Sequence, residues 1–212
     1  MTGFVVAIDG PAGSGKSSVS KAVATRLGFG YLDTGAGYRA FAIHVLNNPG
    51  VLPENLTESF DYRISINPEV QNVFLNDQDV TDLIRTEAIA KAVGPIARNL
   101  IIRKFQNSDA RARILSCDLA GIVVEGRDIT TVVAPNAAIR ILLTASEEVR
   151  MKRRGLEQTE SAENLAQRDM SDSKVVDFMT PALGVELLDT TNLDFEGSVQ
   201  KVLEVIEAKK HG

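Results

Sequence analysis

The chain has 212 residues, 23 Lys plus Arg against 28 Asp plus Glu, a net charge of −5, one Cys and two His. Its length suits one domain that buries roughly 70% of its unfolded surface and requires neither a disulfide nor a metal staple. The acidity argues against a nucleic-acid partner, the apolar runs fall far short of the ~18 residues that cross a membrane, and the lone Cys117 with no basic, apolar leader leads us to expect a cytoplasmic protein.

In chain order, Phe4-Val5-Val6-Ala7-Ile8 is apolar without alternation, the pattern of a strand covered on both faces. Asp9 through Gly15 reads as a Gly/Pro-rich loop. Lys16 to Leu27 is helical, with Val19, Ala22, Val23 and Leu27 recurring on one side and Gly28 as its stop. Tyr31-Leu32 predicts a second strand, and Asp33-Thr34-Gly35 opens a helix that runs to about Leu46. Residues 61–82 change character: Arg63-Ile64-Ser65-Ile66 alternates, and Val73-Phe74-Leu75 precedes the turn formers Asn76-Asp77, which predicts a small antiparallel patch. Helices are expected from about Thr86 and again from Pro95, the second with Ala97, Leu100, Ile101 and Phe105 on its apolar face and Arg103 off it.

Strands return at Ile122 to Glu125 and Ile139 to Leu143, a helix opens near Ser146, and Val185 to Leu188 and Phe195 to Lys209 form a last strand and closing helix. Strands separated by helices imply an α/β fold, a three-layer αβα sandwich around a parallel sheet. Charge is unevenly spread. Residues 1–154 hold 18 basic and 16 acidic residues, whereas 155–212 hold 5 and 12. An acidic chain with a basic first part can still hold a small anion in a local cleft.

Gly10-Pro11-Ala12-Gly13-Ser14-Gly15-Lys16-Ser17 fits G-x-x-x-x-G-K-[ST] in full and is followed by Ser18. A buried strand ends just before it and a helix begins within it, as a P-loop requires. Backbone N–H groups wrap a polyphosphate there, so Cβ atoms must be absent where the chain comes closest. Lys16 would neutralise the β- and γ-phosphates of a nucleoside triphosphate, and Ser17 would offer its hydroxyl to Mg²⁺. No N-K-x-D base-reading motif accompanies it, so a GTP-driven switch is disfavoured, and Asp118-Leu119-Ala120-Gly121 lies before a strand rather than after one.

Three further clusters point to an anionic acceptor. Thr34-Gly35 with Tyr38 and Arg39 opens a second helix at the sheet's carboxyl edge, Glu125-Gly126-Arg127-Asp128 ends a strand there, and Arg150-Met151-Lys152-Arg153-Arg154 puts four cations in five residues. A monophosphate acceptor is already an anionic nucleophile and needs alignment and charge neutralisation, not a base; Asp128 as a base would suit an alcohol acceptor instead. Glu125 either orients water on Mg²⁺ or pairs with Arg127. His44 and His211 have no ligand-like neighbours in sequence, and Cys117 reads as a small core residue. The residues alone therefore leave three readings: a kinase of a monophosphate, a small kinase of another acceptor, or a non-catalytic nucleotide-dependent regulator.

The segments AIDGPAGSGKSS, YLDTGAGYRA, VFLNDQDVTDLIRTEAIA, VEGRDITTVV and LLDTTNL, with Arg168-Asp169 and Asp172, resemble the bacterial cytidylate kinase family in the family's order. The resemblance implies a P-loop kinase domain over residues 1–212, with a monophosphate-binding insert near 61–115 and a lid near 150–170. It implies a monomer that moves the γ-phosphate of ATP, with Mg²⁺, onto CMP or dCMP. On the same resemblance, Arg39 and Arg127 grip the acceptor's phosphate, Arg103 and Asp128 read the cytosine edge, Arg168 and Asp172 contact the sugar, and Thr34 and Tyr38 stand beside the acceptor. Arg150, Arg153 and Arg154 become lid arginines that act with Lys16 and Arg127 on the transferring group. Departures are Gly94 where many members carry Ser near the base, Val175 where an Arg is usual with Lys174 beside it as a replacement charge, and Thr130 where Gly is usual.

Overall fold

The computed structural model describes residues 3–157 and 179–210, the side chains of 154–157 and 210 excepted. Five parallel strands form the central sheet: β1 (Phe4–Asp9), β2 (Gly30–Asp33), β6 (Gly121–Gly126), β7 (Ile139–Thr144) and β8 (Glu186–Asp189), in the spatial order β2-β6-β1-β7-β8. The order puts the P-loop strand β1 in the middle, paired with β6 on one side and β7 on the other. Helices α1 (Lys16–Leu27), α2 (Thr34–Leu46), α3 (Glu87–Arg98), α4 (Leu100–Leu115), α5 (Glu147–Glu157) and α6 (Phe195–Lys210) make the crossovers and outer layers. Between α2 and α3, β3 (Tyr62–Ile64), β4 (Val73–Leu75) and β5 (Gln78–Asp79) form the antiparallel patch expected there. Asn76 and Asp77 take positive φ angles at its turn.

Strand alternation splits the apolar side chains into two cores. Val6, Ile8, Val123, Ile141 and Leu143 point to the layer of α1 and α6, where they meet Val19, Val23, Val199, Val202 and Ile206. Ala7, Leu32, Ile122 and Val124 point the other way, against Phe41, Ile43, Ile102 and the inner face of the β3–β5 patch. Both faces of the strands are thus dry, and the functional groups collect at the strand ends.

The helix expected to start at Pro95 does not. Pro95 lies inside α3, and the break comes four residues later at Asn99. Asn99 is extended, and its side-chain oxygen accepts from the N–H groups of Ile101 and Ile102, so it is the cap that opens α4. Pro95 is tolerated because it and Lys91, whose carbonyl loses a donor, both face solvent. The shift in phase leaves Leu100 and Ile101 exposed, 74% and 57%, while Ile102, Gln106, Asn107 and Ala110 turn inward. Strand β8 is displaced by one residue from the expected Val185 start.

Candidate active site

Parallel pairing brings the carboxyl ends of β1, β2 and β6 level. Asp9 stands opposite Gly126, and Asp33 stands opposite Glu125. Thr34, the next residue after β2, donates its hydroxyl to the Glu125 carbonyl at 2.9 Å. A Cβ on Gly126 would meet that hydroxyl at 2.5 Å, so the two strand ends can close together only over a glycine. Asp9 fixes the next segment. Its carboxylate accepts from the Ile129 N–H at 2.8 Å, the Thr130 N–H at 2.8 Å and the Thr130 hydroxyl at 2.6 Å. Burial pushes the Asp9 carboxyl up, against these three donors, which favour its charged form. The segment it holds, Ile129–Val133, is a single wide helical turn closed by bonds from Val133 N–H to Asp128 and Ala134 N–H to Ile129. Such wide turns recur at functional sites, and this one presents Arg127 and Asp128 at its mouth.

The P-loop has the shape a polyphosphate needs. Gly13 and Gly15 sit at φ +76° and +86°, and a Cβ at Gly10 would lie 2.2 Å from the Leu143 carbonyl. Ser14 keeps a buried hydroxyl with no hydrogen-bond partner among the described residues. Lys16 directs its ammonium along the loop, 3.4 Å from the Pro11 carbonyl. Two cations of α5 brace the loop from outside: Arg150 donates to the Ala12 carbonyl at 3.0 Å, and Arg153 to the Ser14 carbonyl at 3.1 Å and to Thr190.

Beside the loop is a buried charge cluster. Ser17 donates its hydroxyl to Glu125 Oε1 at 2.7 Å, and the Tyr31 hydroxyl lies 3.4 Å from the same oxygen. Asp33 caps α2 by accepting from Ala36 and pairs with Arg85 at 3.2 Å. Burial would raise the Asp33 carboxyl, but Arg39 and Arg85 outweigh it and hold the group below the usual carboxylate range. Glu125 goes the other way, pushed up by burial and by the Asp33 charge and only partly relieved by Lys16. A hydroxyl and a buried carboxylate next to a phosphate cradle form an all-oxygen donor set that fits Mg²⁺, which would draw the Glu125 charge back out.

From Lys16 and Ser17 a cleft runs past Thr34, Gly35, Tyr38, Arg39 and Arg127 to a wall made by Arg103, Asp128 and the end of α3. At the far wall, Arg103 forms an ion pair with Asp128, the two side chains 15% and 7% exposed, and its second nitrogen donates to the Ala97 carbonyl at 3.2 Å. Asn107, one turn further along α4, donates to the same Asp128 oxygen at 3.3 Å.

The structure brings together most of the residues expected from sequence: Lys16, Ser17, Thr34, Tyr38, Arg39, Glu125, Arg127, Asp128 and Arg103 share one cleft. Val93, Ala97 and Arg98 rather than Gly94 line its α3 wall; Gly94 is half-buried, and a Cβ there would meet only Arg98, at 3.7 Å. The Glu125 carboxylate accepts from the P-loop Ser17 hydroxyl. Arg154's side chain, Arg168, Asp172, Lys174 and Val175 lie outside the described residues. Sequence reasoning passed over Asp9, Arg85, Arg98 and Asn107. For Asp9 the signal was an acid closing an apolar strand, and for Asn107 a position four residues after Arg103; Arg85 and Arg98 carried none. Among the described residues no cluster of His, Cys, Asp and Glu could hold a metal by itself, and no helix is long and apolar enough to cross a membrane.

Solved structures with this architecture include a gluconokinase from Sinorhizobium meliloti 1021 (TM-score 0.55, 16% identity, 99% of this chain and 95% of that one) and TT1252 from Thermus thermophilus (0.53, 15%, 99% and 98%). At such identities the likeness concerns the fold alone. In sequence, the chain is 37% identical over 215 residues to the cytidylate kinase of Cutibacterium acnes, across 96% of both chains. It is 38% identical over 219 residues to that of Carboxydothermus hydrogenoformans, across 96% of this chain and 97% of the relative. The cytidylate kinase family model matches residues 6–208, a span that takes in every element bordering the cleft, and the chain belongs to the cytidylate kinase family.

Proposed function

We propose that the protein transfers the γ-phosphate of ATP to CMP or dCMP, giving ADP and CDP or dCDP. The observation that carries this reading is the single cleft with a P-loop lysine at one end and the Arg103–Asp128 pair at the other, Arg39 and Arg127 between them. Phosphate-binding groups at one end and a paired guanidinium and carboxylate at the other suit a triphosphate and a pyrimidine monophosphate sharing the cleft. Cytosine offers ring acceptors beside an exocyclic amino donor, and a guanidinium with a carboxylate answers both. Membership of the cytidylate kinase family supports the same acceptor.

In this reading Arg39 and Arg127 hold the acceptor's phosphate, whose oxygen attacks the γ-phosphorus as the bond to the β-phosphate oxygen breaks. No base is required, and Asp128 is reserved for recognition. Lys16 stabilises the charge that develops on the transferring group. Ser17, with Glu125 acting through water, would hold Mg²⁺, which would supply charge neutralisation at the donor phosphates. Thr34 and Tyr38 border the acceptor. We assign Arg150 and Arg153 to the donor side, where they brace the P-loop, and residues 150–170, with Arg154, to a lid that excludes water. Arg168 and Asp172 are proposed sugar contacts, with Lys174 standing in for a charge at Val175. Small nucleotides are the partners of a monomer in this reading.

An ADP-release assay with CMP, dCMP, UMP, AMP, GMP and shikimate tests it. CMP and dCMP should give the highest kcat/KM. ADP release independent of all six, or highest with shikimate, would overturn the assignment.

A further inference from the structure

Helix α4 turns an unusual face toward the core. Beside Ile102 and Ala110 it buries two amides, Gln106 and Asn107, where apolar residues would cost nothing in polar desolvation. Gln106 reaches the Gly37 carbonyl at 3.4 Å, on the α2 side. Asn107 points instead at Asp128. Arg103 and Asn107 are four residues apart and so stack on one side of the helix, and both donate to Oδ2 of that carboxylate.

The convergence has a geometric consequence. The terminal torsion of an aspartate is broad, so one contact to a long arginine leaves the plane of the carboxylate poorly fixed. A second donor on the same oxygen, from a short side chain 7% exposed and fixed in the core, removes that freedom. Both donors take Oδ2, which leaves Oδ1 as the oxygen that can accept from a ligand in the cleft Asp128 lines. We infer that Asn107 is a positioning residue that aims Asp128 at an amino donor on the acceptor's base, and so sets a preference for an aminopyrimidine over its keto analogue. The inference rests on the CMP reading above. A keto oxygen in the amino position would bring acceptor against acceptor at a fixed carboxylate, a mismatch that a loosely held carboxylate would evade by turning.

The test compares CMP with UMP in the full-length protein carrying Asn107→Leu, which keeps the volume and removes the donor, and Asn107→Asp, which keeps the shape and substitutes an acceptor. At neutral pH both should lower the CMP-over-UMP ratio of kcat/KM about tenfold, through a higher KM for CMP, with KM for ATP unchanged. Lowering the pH should restore part of the ratio in Asn107→Asp, whose introduced carboxyl regains a donor proton, and should restore none in Asn107→Leu. A ratio within twofold of wild type in a cooperatively melting Asn107→Leu protein, or a parallel loss of CMP and UMP activity, would overturn the inference. Should Asn107→Leu fail to melt cooperatively, the Asn107→Asp pH series decides, a flat ratio overturning it. A wild-type protein with no CMP-dependent ADP release would instead overturn the parent reading and the inference with it.

Discussion

The two ends of the cleft are built on different principles. At the phosphate end, eight consecutive residues from Gly10 to Ser17 make the cradle, and its form depends on missing Cβ atoms at Gly10 and Gly13. At the base end, Arg103 comes from α4, Asp128 from the turn after β6, and the carbonyl of Ala97 from α3. The first end is a local backbone device that needs only a strand before it and a helix behind it. The second exists only once residues from separate segments are packed together. Damage to the phosphate end should therefore fall on turnover, and damage to the base end on the choice of acceptor.

The largest expected effect comes from Lys16→Met, which removes the charge nearest the transferring phosphate. Turnover should fall about a thousandfold, the scale for a preorganised cation in a dry site, while CMP and UMP retain their relative order. A changed order would mean that the two ends are coupled rather than separate. Next, Arg39→Ala or Arg127→Ala should each lower kcat/KM more than about a hundredfold in the ADP-release assay. These two residues stand where the ends meet, so both CMP and UMP should lose alike. Full activity in Arg127→Ala would remove the middle of the proposed cleft.

A smaller and opposite pair of effects is expected from Glu125→Gln. Burial and Asp33 raise the Glu125 carboxyl in the folded state. A carboxyl raised on folding is most comfortable while protonated, so its contribution is retained below the unfolded value and lost as pH rises through the folded one. The neutral amide avoids that loss and can still accept from Ser17. In thermal melts without Mg²⁺ the variant should melt about 2 °C above wild type at pH 8, the difference closing as pH falls toward 4.5. Its kcat should fall about tenfold, because the carboxylate is the partner of Ser17 at the proposed metal site. Equal melting at pH 8 would mean that Lys16 already compensates the charge in full.

Legibility in the sequence follows the same division. The P-loop, its strand and its helix could be read from residues 4–27 because each depends on near neighbours. The antiparallel patch was legible from alternation and from Asn76-Asp77. Helix α4 was misphased because Pro95 outweighed Asn99 as a punctuation mark, and the error turned Leu100 and Ile101 inward on paper. What decided the true phase was a side-chain cap, a contact that the hydrophobic pattern does not record. Asp9 and Arg85 were missed for a related reason: their partners, Thr130 and Asp33, lie 121 and 52 residues away in the chain. The turn after β6 and the short turn before α3 pack onto the strand ends and create those pairs, and no single window contains them.

The smallest effect separates the inner and outer supports of the wide turn at Ile129–Val133. Asp9 holds its start from within the core. Arg111 holds its end from outside, donating to the carbonyls of Val133 at 3.2 Å and Val132 at 2.7 Å. Arg111 does not border the main cleft; it lies against a separate surface groove with Pro135 and Ile114. Losing two exposed or half-exposed hydrogen bonds costs about 1 kcal/mol, so Arg111→Ala should melt roughly 2–4 °C lower. Activity on CMP should stay within twofold, because Asp9 still fixes Ile129 and Thr130, the residues next to Asp128. A tenfold loss of kcat/KM with normal melting would show that the outer end of the turn, and not Asp9 alone, sets the position of Asp128.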